Sequence, residues 1–205
     1  MIFSAVARMS ARPPPPKNDA NRRRILEAAT VLFQRYGYRK TTVSLLAAEA
    51  EVAKPTIYAH FEDKEAVFRA VIETVCEQMR EAAEKAKASK LPVEERLIEM
   101  LAAKFTRHFE LVHSSAHASE LIDSEGKLGA AIIERADRAF TELLTEAIDE
   151  GGLLPRSGVS AAQAATLLLR AASGADYDAA NVAAHRKNLG EIVRTLVAGL
   201  RSTRR

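Results

Sequence analysis

The chain has 205 residues, 47% of them hydrophobic, with 9 glycines and 7 prolines, which is enough apolar surface for a packed core and marks it as globular, not disordered. Tryptophan is absent, and the single cysteine, Cys76, excludes an internal disulfide framework and multi-thiolate zinc clusters and suits a cytoplasmic, reducing compartment. The net charge of +3 is uneven: residues 1–64 hold 11 basic and 6 acidic residues, +5 in all, and the other 141 carry −2. That excess fits the phosphate neutralisation of a nucleic-acid binder, and it equally fits a solvated basic surface.

In chain order, residues 1–18 read as a disordered, basic, proline-rich tail. The apolar start MIFSAVARM is too short for a signal core, lacks a basic leader and runs into Pro13–Pro16. No later run approaches the roughly 20 apolar residues that span a bilayer, so no membrane partner is expected. Arg8, Arg12, Lys17 and the Arg22–Arg24 cluster form a possible basic arm.

Asp19 or Asn21 can cap a first helix, whose apolar Ile25, Ala28, Ala29, Leu32, Phe33 and Tyr36 recur at helical spacing until Gly37 stops it. Thr41 or Thr42 caps a second helix that buries Val43, Leu46, Ala47 and Ala50. A tight turn at Glu51 leads to a third over about Ala53–His60, with Pro55 in its first turn, where a missing N–H costs nothing. Asp63 caps a long fourth helix running to about residue 88.

Beyond Ser89 and Pro92 the fifth helix carries Leu97, Met100, Leu101, Phe105, His108, Phe109 and Val112 on one stripe. A short sixth, Ser115–Ile122, precedes Gly126. A seventh shows Ile132, Ala136, Phe140, Leu143, Leu144, Ala147 and Ile148 at core spacing and ends at Gly151, Gly152 and Pro155. Two more cover about 160–173 and 185–200, giving an all-α chain of about nine helices without internal repeats.

Helix, tight turn, helix is the geometry that lays one helix in the major groove while its neighbour braces on the backbone. Thr42 at a helix start can offer its hydroxyl and free N–H groups to a phosphate, or serve only as a cap. Lys54, Pro55 and Thr56 occupy the first turn of the third helix, nearest the base edges. Tyr58 and His60 have polar-tipped rings suited to phosphate, and Lys64 adds charge. Against these roles stand core packing for Tyr58 and plain surface positions for the lysines.

The run TTVSLLAAEAEVAKPTIYAHFEDKEAVF resembles the DNA-binding signature of the TetR family of bacterial transcriptional regulators, over about residues 21–73. Thr42, Leu46 with Ala47, Val52, Thr56, Ile57, Tyr58, His60 with Phe61, and Lys64 occupy the family's motif positions. Glu51 stands where the family usually has Gly, Ala53 where it has Ser, and Pro55 where Gly is common. Glu51 should bear a tolerated positive-φ strain of about 1 kcal/mol.

The resemblance implies a helix-turn-helix domain over 19–64 and a helical effector-binding and dimerisation domain over 65–205. It implies a homodimer through the last two helices, on a double-stranded, palindromic DNA operator. It further implies repression relieved by an unknown small-molecule effector; a ligand-independent dimeric regulator is the alternative. A cofactor is not expected, nor is catalysis, since no nucleophile and base share a motif.

Phe105, His108, Phe109, His113, His117, Phe140 and Tyr177 are candidate linings of an effector pocket, although aromatic residues at this spacing also suit simple core. His113 and His117 share the i, i+4 spacing of metal ligands, but no metal site is assigned without a further signature.

Overall fold

The computed structural model describes residues 17–113, 126–153 and 158–201, and among these every regular element is helical. They are α1 (Lys17–Lys40), α2 (Val43–Glu49), α3 (Lys54–His60), α4 (Lys64–Lys87), α5 (Val93–His113), α6 (Gly126–Glu150), α7 (Ala161–Ala172) and α8 (Val182–Arg201). A short 3-10 turn, η1 (Ser173–Asp176), follows α7. The expected helix at Ser115–Ile122, most of the tail, and with them His117 lie outside the described residues.

Helices α2 and α3 have seven residues each, too short to persist alone in water, so tertiary packing must hold them. That packing comes from Ile25, Leu26, Ala29, Leu32 and Phe33 of α1, which close on Leu46 and Ala47 of α2, Ile57 of α3, and Phe61. Val67, Phe68, Ala70 and Val71 complete this first core, so its wall includes the first two turns of α4 and runs past Lys64. Phe33, Tyr38 and Phe68 stack edge to face or tilted, with centroids 4.9–5.7 Å apart.

Gly37 breaks the helical trace of α1 with φ 79°, which only glycine enters freely. Thr41, fully buried behind it, donates its hydroxyl hydrogen to the carbonyl of Gly37 at 2.8 Å.

The second core is built by α4 to α8. Ala83, Leu97, Met100, Leu101, Leu144, Ala147, Ile148, Ala164, Ala165, Leu168, Leu189, Val193 and Val197 pack within it. Ion pairs strap α8 to α5: Arg186 to Glu99 at 2.6 Å, and Arg194 to Glu95 and Arg201 to Glu94 at 3.3 Å each.

Helix α4 belongs to both cores, and α6 approaches it so closely that a Cβ on Gly129 would fall 2.5 Å from Ile72 Cδ1. Ile72 and Leu128 pack there against the first core. The first core thus touches the second through α4 and the start of α6.

The final helix divides its aliphatic stripe. Leu189, Val193 and Val197 are fully buried within their own subunit, while Ile192, Leu196 and Leu200 are partly exposed; on α7, Leu167 is 47% exposed.

Candidate nucleic-acid interface

Thr42, not Thr41, is the N-cap of α2, its Oγ1 accepting from the Leu45 N–H at 3.2 Å. The far end of α2 closes as a Schellman motif: Val52 N–H donates to Ala47 O at 2.9 Å and Glu51 N–H to Ala48 O at 3.2 Å. Glu51 therefore takes the left-handed position, at φ 50°, where the motif favours glycine. Arg24 of α1 meets it there, its Nη2 donating to Glu51 Oε2 at 2.8 Å and to Glu51 O at 3.3 Å.

Helix α3 starts without a side-chain cap at Ala53, and Pro55 sits in the first turn as expected. Its faces then separate. Ile57 is buried in the first core, Thr56 and His60 are half-buried, and Lys54, Pro55, Tyr58 and Ala59 face solvent. Tyr58 is 57% exposed, which removes core packing as its role. The outward face thus offers one ammonium, one phenol and two small apolar surfaces. A face of this width and polarity can lie in a major groove, where donors read base edges and apolar atoms meet thymine methyls.

Arg22 and Arg23 on α1 and Thr42 at the start of α2 are also exposed, Arg23 being paired with Glu27 at 3.7 Å. Arg22 lies over the Phe61 ring at 5.3 Å. Asp63 caps α4, accepting from Ala66 N–H at 2.6 Å.

Lys64 is engaged inside the domain: its Nζ donates to the Tyr38 carbonyl at 2.9 Å and lies 4.1 Å from the centre of the Tyr38 ring. Half-buried as it is, Lys64 closes the domain as well as charging it.

The six described residues among those expected to line an effector pocket do not converge on one cavity. Phe109 and Phe140 are buried, and Phe105 packs half-buried against the second core, sharing the Lys104 ammonium with Phe140, while Lys104 also pairs with Asp137. His108 is exposed. His113 stacks on Phe109 at 3.9 Å, its Nδ1 2.9 Å from the Phe109 carbonyl. Tyr177 is 81% exposed, because the extended backbone that ends η1 turns its ring outward while its carbonyl accepts from Asn188 Nδ2 at 3.2 Å. An open groove of about 340 Å³ lies instead among Gln78, Met79 and Ala82 of α4, Ala103, Thr106 and Arg107 of α5, and Arg186 of α8. None of the six described candidates lines it.

Sequence reasoning missed a buried polar group beside that groove. His185 is fully buried, its Nδ1 3.2 Å from Thr106 Oγ1 and its Nε2 3.0 Å from Asp176 Oδ1, although the latter contact is poorly aligned for a hydrogen bond. Burial pushes the His185 pKa below its ordinary value, with Asp176 opposing the shift. The signal was present, since His185 heads the 185, 189, 193, 197 stripe that faces the core. Among the described residues, no three His, Cys, Asp or Glu side chains are grouped to hold a metal, and no helix is long and apolar enough to cross a membrane.

Known proteins match this arrangement at two levels. Residues 25–71, the span of the first core, match the family model described as bacterial regulatory proteins, tetR family. An uncharacterized HTH-type transcriptional regulator of Bacillus subtilis, YhgD, is 30% identical over 131 residues, covering 62% of this chain and 66% of that protein. An HTH-type transcriptional repressor of Mycobacterium tuberculosis is 40% identical over 60 residues, covering 29% of this chain and 32% of its own length. The chain thus spans just under two thirds of the first relative and about one third of the second.

The whole fold is shared with a transcriptional regulator from Cytophaga hutchinsonii, with a TM-score of 0.71, 21% identity, and 87% of this chain and 97% of that one covered. It is also shared with a transcriptional regulator from Saccharomonospora viridis solved in complex with choline, with a TM-score of 0.68, 19% identity, and coverage of 86% and 96%. The match over residues 25–71, together with the Bacillus subtilis relative, identifies the chain as a member of the TetR family of bacterial regulatory proteins.

Proposed function

We propose that this protein is a transcriptional regulator that binds a near-palindromic DNA operator as a homodimer, each subunit laying α3 in a major groove. One observation carries the reading: α3 is pinned to the first core by Ile57 while Lys54, Pro55, Tyr58 and Ala59 stay free on its outer face. Thr42 at the start of α2, with Arg22 and Arg23, supplies the flanking phosphate contacts. His60 and Lys64 stand at the rim of this surface.

Dimerisation uses the outer faces of α7 and α8, where Leu167, Ile192, Leu196 and Leu200 remain partly exposed. The output is repression, in keeping with the M. tuberculosis relative named as a repressor.

Release of the operator follows from a small molecule that favours a wider spacing of the two DNA-binding units. Helix α4 is the lever because it is part of both cores. Couplings of this kind amount to about 1–3 kcal/mol, or roughly 5–150-fold in affinity. That a fold neighbour was solved in complex with choline supports the binding of a small molecule.

A second reading, a regulator without effector, is favoured by the burial of Phe109 and Phe140 in the core and by the openness of the groove beside α4 and α5. Melting curves with choline and pooled metabolites separate the two, since a ligand at 100 times its Kd stabilises by about 2.7 kcal/mol.

The DNA reading is tested by selecting sheared genomic fragments with the purified protein. Enrichment of fragments sharing an inverted repeat, bound with an affinity that falls steeply with salt, is expected. Recovery of no common sequence overturns it.

A further inference from the structure

Glu51 is an unexpected residue for its place. It holds the left-handed position of the α2 end at φ 50°, its carboxylate is largely exposed, and it lies on the turn that leads into α3. A negative charge here opposes binding to a polyanion, and a β-carbon here opposes the backbone conformation.

What the carboxylate does have is Arg24. One guanidinium nitrogen reaches both the side chain and the main-chain carbonyl of Glu51, at 2.8 and 3.3 Å, across 27 residues of sequence. The pair links α1, the most extensive wall of the first core, to the turn that aims the recognition helix.

We infer that Arg24 is a positioning residue for the recognition helix: it clasps the helix-turn-helix turn through Glu51 and is not itself a phosphate contact. The inference rests on the DNA-binding reading above. Arg24 and Glu51 cancel in charge, and Arg23 is paired with Glu27 at 3.7 Å, so the Arg22–Arg24 cluster adds less to counterion release than its three charges suggest. The clasp acts by raising the population of subunits whose α3 is oriented for the groove, and apparent affinity scales with that population. Glycine at 51 would hold the same backbone without strain and would leave Arg24 nothing to grip but the carbonyl.

The clasp and simple electrostatics predict opposite signs. Removing the carboxylate should tighten binding to all DNA if only charge matters, and should loosen specific binding if the clasp matters. The experiment measures wild type, Glu51→Ala, Glu51→Gln, Glu51→Gly, Arg24→Ala and Arg24→Ala/Glu51→Gly by fluorescence anisotropy at fixed salt. Each is titrated with the operator recovered from the genomic selection and with a scrambled duplex, and each is checked for folding by circular dichroism melting.

The expected result is a drop of about twofold to fivefold in the operator-to-scrambled affinity ratio for Glu51→Ala and for Arg24→Ala. Glu51→Gln keeps an acceptor for Arg24 and should recover most of that ratio. In the Glu51→Gly background, where only the main-chain carbonyl remains for Arg24, its removal should lower the ratio less than it does in the wild type.

Two results overturn the assignment. One is that Glu51→Ala and Glu51→Gln tighten both duplexes together. The other is that Arg24→Ala weakens both duplexes equally with a shallower salt dependence, the signature of a phosphate contact. A wild-type protein without preference for any selected sequence refutes the operator reading instead, whereas a wild type with preference and an unmoved ratio in Glu51→Ala refutes only the role of Arg24.

Discussion

Replacing Lys64 by methionine keeps an unbranched apolar stem and removes only the ammonium, so it separates the two tasks this residue can perform. In the structure Nζ donates to the Tyr38 carbonyl at 2.9 Å and sits 4.1 Å above the Tyr38 ring, which in turn packs on Phe33 and Phe68. A hydrogen bond from a charged donor contributes about 1.5–3 kcal/mol, and a cation–π contact at a partly exposed site about 0.5–1. Lys64 is half-buried, so the lower ends apply and the loss should be about 2 kcal/mol. For a chain of this length that corresponds to roughly 4–8 °C in melting temperature.

Circular dichroism melting of the Lys64→Met protein reads this directly, with Lys90→Met, an exposed lysine on the connection between α4 and α5, as a control expected within about 0.5 kcal/mol of wild type. If Lys64→Met melts like wild type while the salt slope of DNA binding falls by about one, the contact to Tyr38 carries no stability. The ammonium then belongs to phosphate, and the reasoning is refuted.

Four other outcomes are expected. Thr42→Ala removes the acceptor for the Leu45 N–H and should cost about 1 kcal/mol as well as weaken binding to any duplex; an unchanged melting temperature contradicts the cap. Tyr58→Ala, at an exposed position, should alter stability by less than about 0.5 kcal/mol yet weaken DNA binding, and full retention of affinity removes it from the interface.

His185 has a depressed pKa in the folded chain, so the unfolded chain takes up a proton first as pH falls below its ordinary 6.5. The stability that His185 contributes is present above that value and is lost as pH falls toward the folded pKa. A His185→Gln protein should show a flatter stability profile between about pH 7.5 and 5.5, and an identical profile contradicts the assignment. Leu167→Asp, on the outer face of α7, should shift the sedimentation of the protein toward the monomer, and an unshifted dimer moves the interface elsewhere.

Local chemistry made the first core readable. Thr42 and Asp63 cap helices by side-chain bonds to N–H groups three residues ahead, Gly37 breaks α1, and Ile25, Leu32, Leu46, Ile57 and Phe68 recur at helical spacing. Even the positive φ of Glu51 followed from the motif it interrupts. Contacts between distant residues were not readable: nothing local marks Arg24 as the partner of Glu51, or Lys64 as the donor to Tyr38.

In the second domain, helical spacing identifies a buried stripe but not which neighbour buries it. Leu189, Val193 and Val197 turned inward within the subunit, while Ile192 and Leu196, one residue before Val193 and Val197, and Leu200, three after Val197, stayed at the edge. For the same reason the spacing of Phe109 and Phe140 suits core more often than pocket without deciding between them, and Tyr177 gave no sign that the end of η1 would turn its ring to solvent.

Hydroxyl-radical footprinting of the protein on its selected operator tests the central claim most directly, that α3 of two subunits enters successive major grooves. Two protected patches related by an inverted repeat, centred about 10 base pairs or a small multiple of that apart, are the predicted result. A single patch without symmetry, or protection that is equal on scrambled DNA, would contradict it.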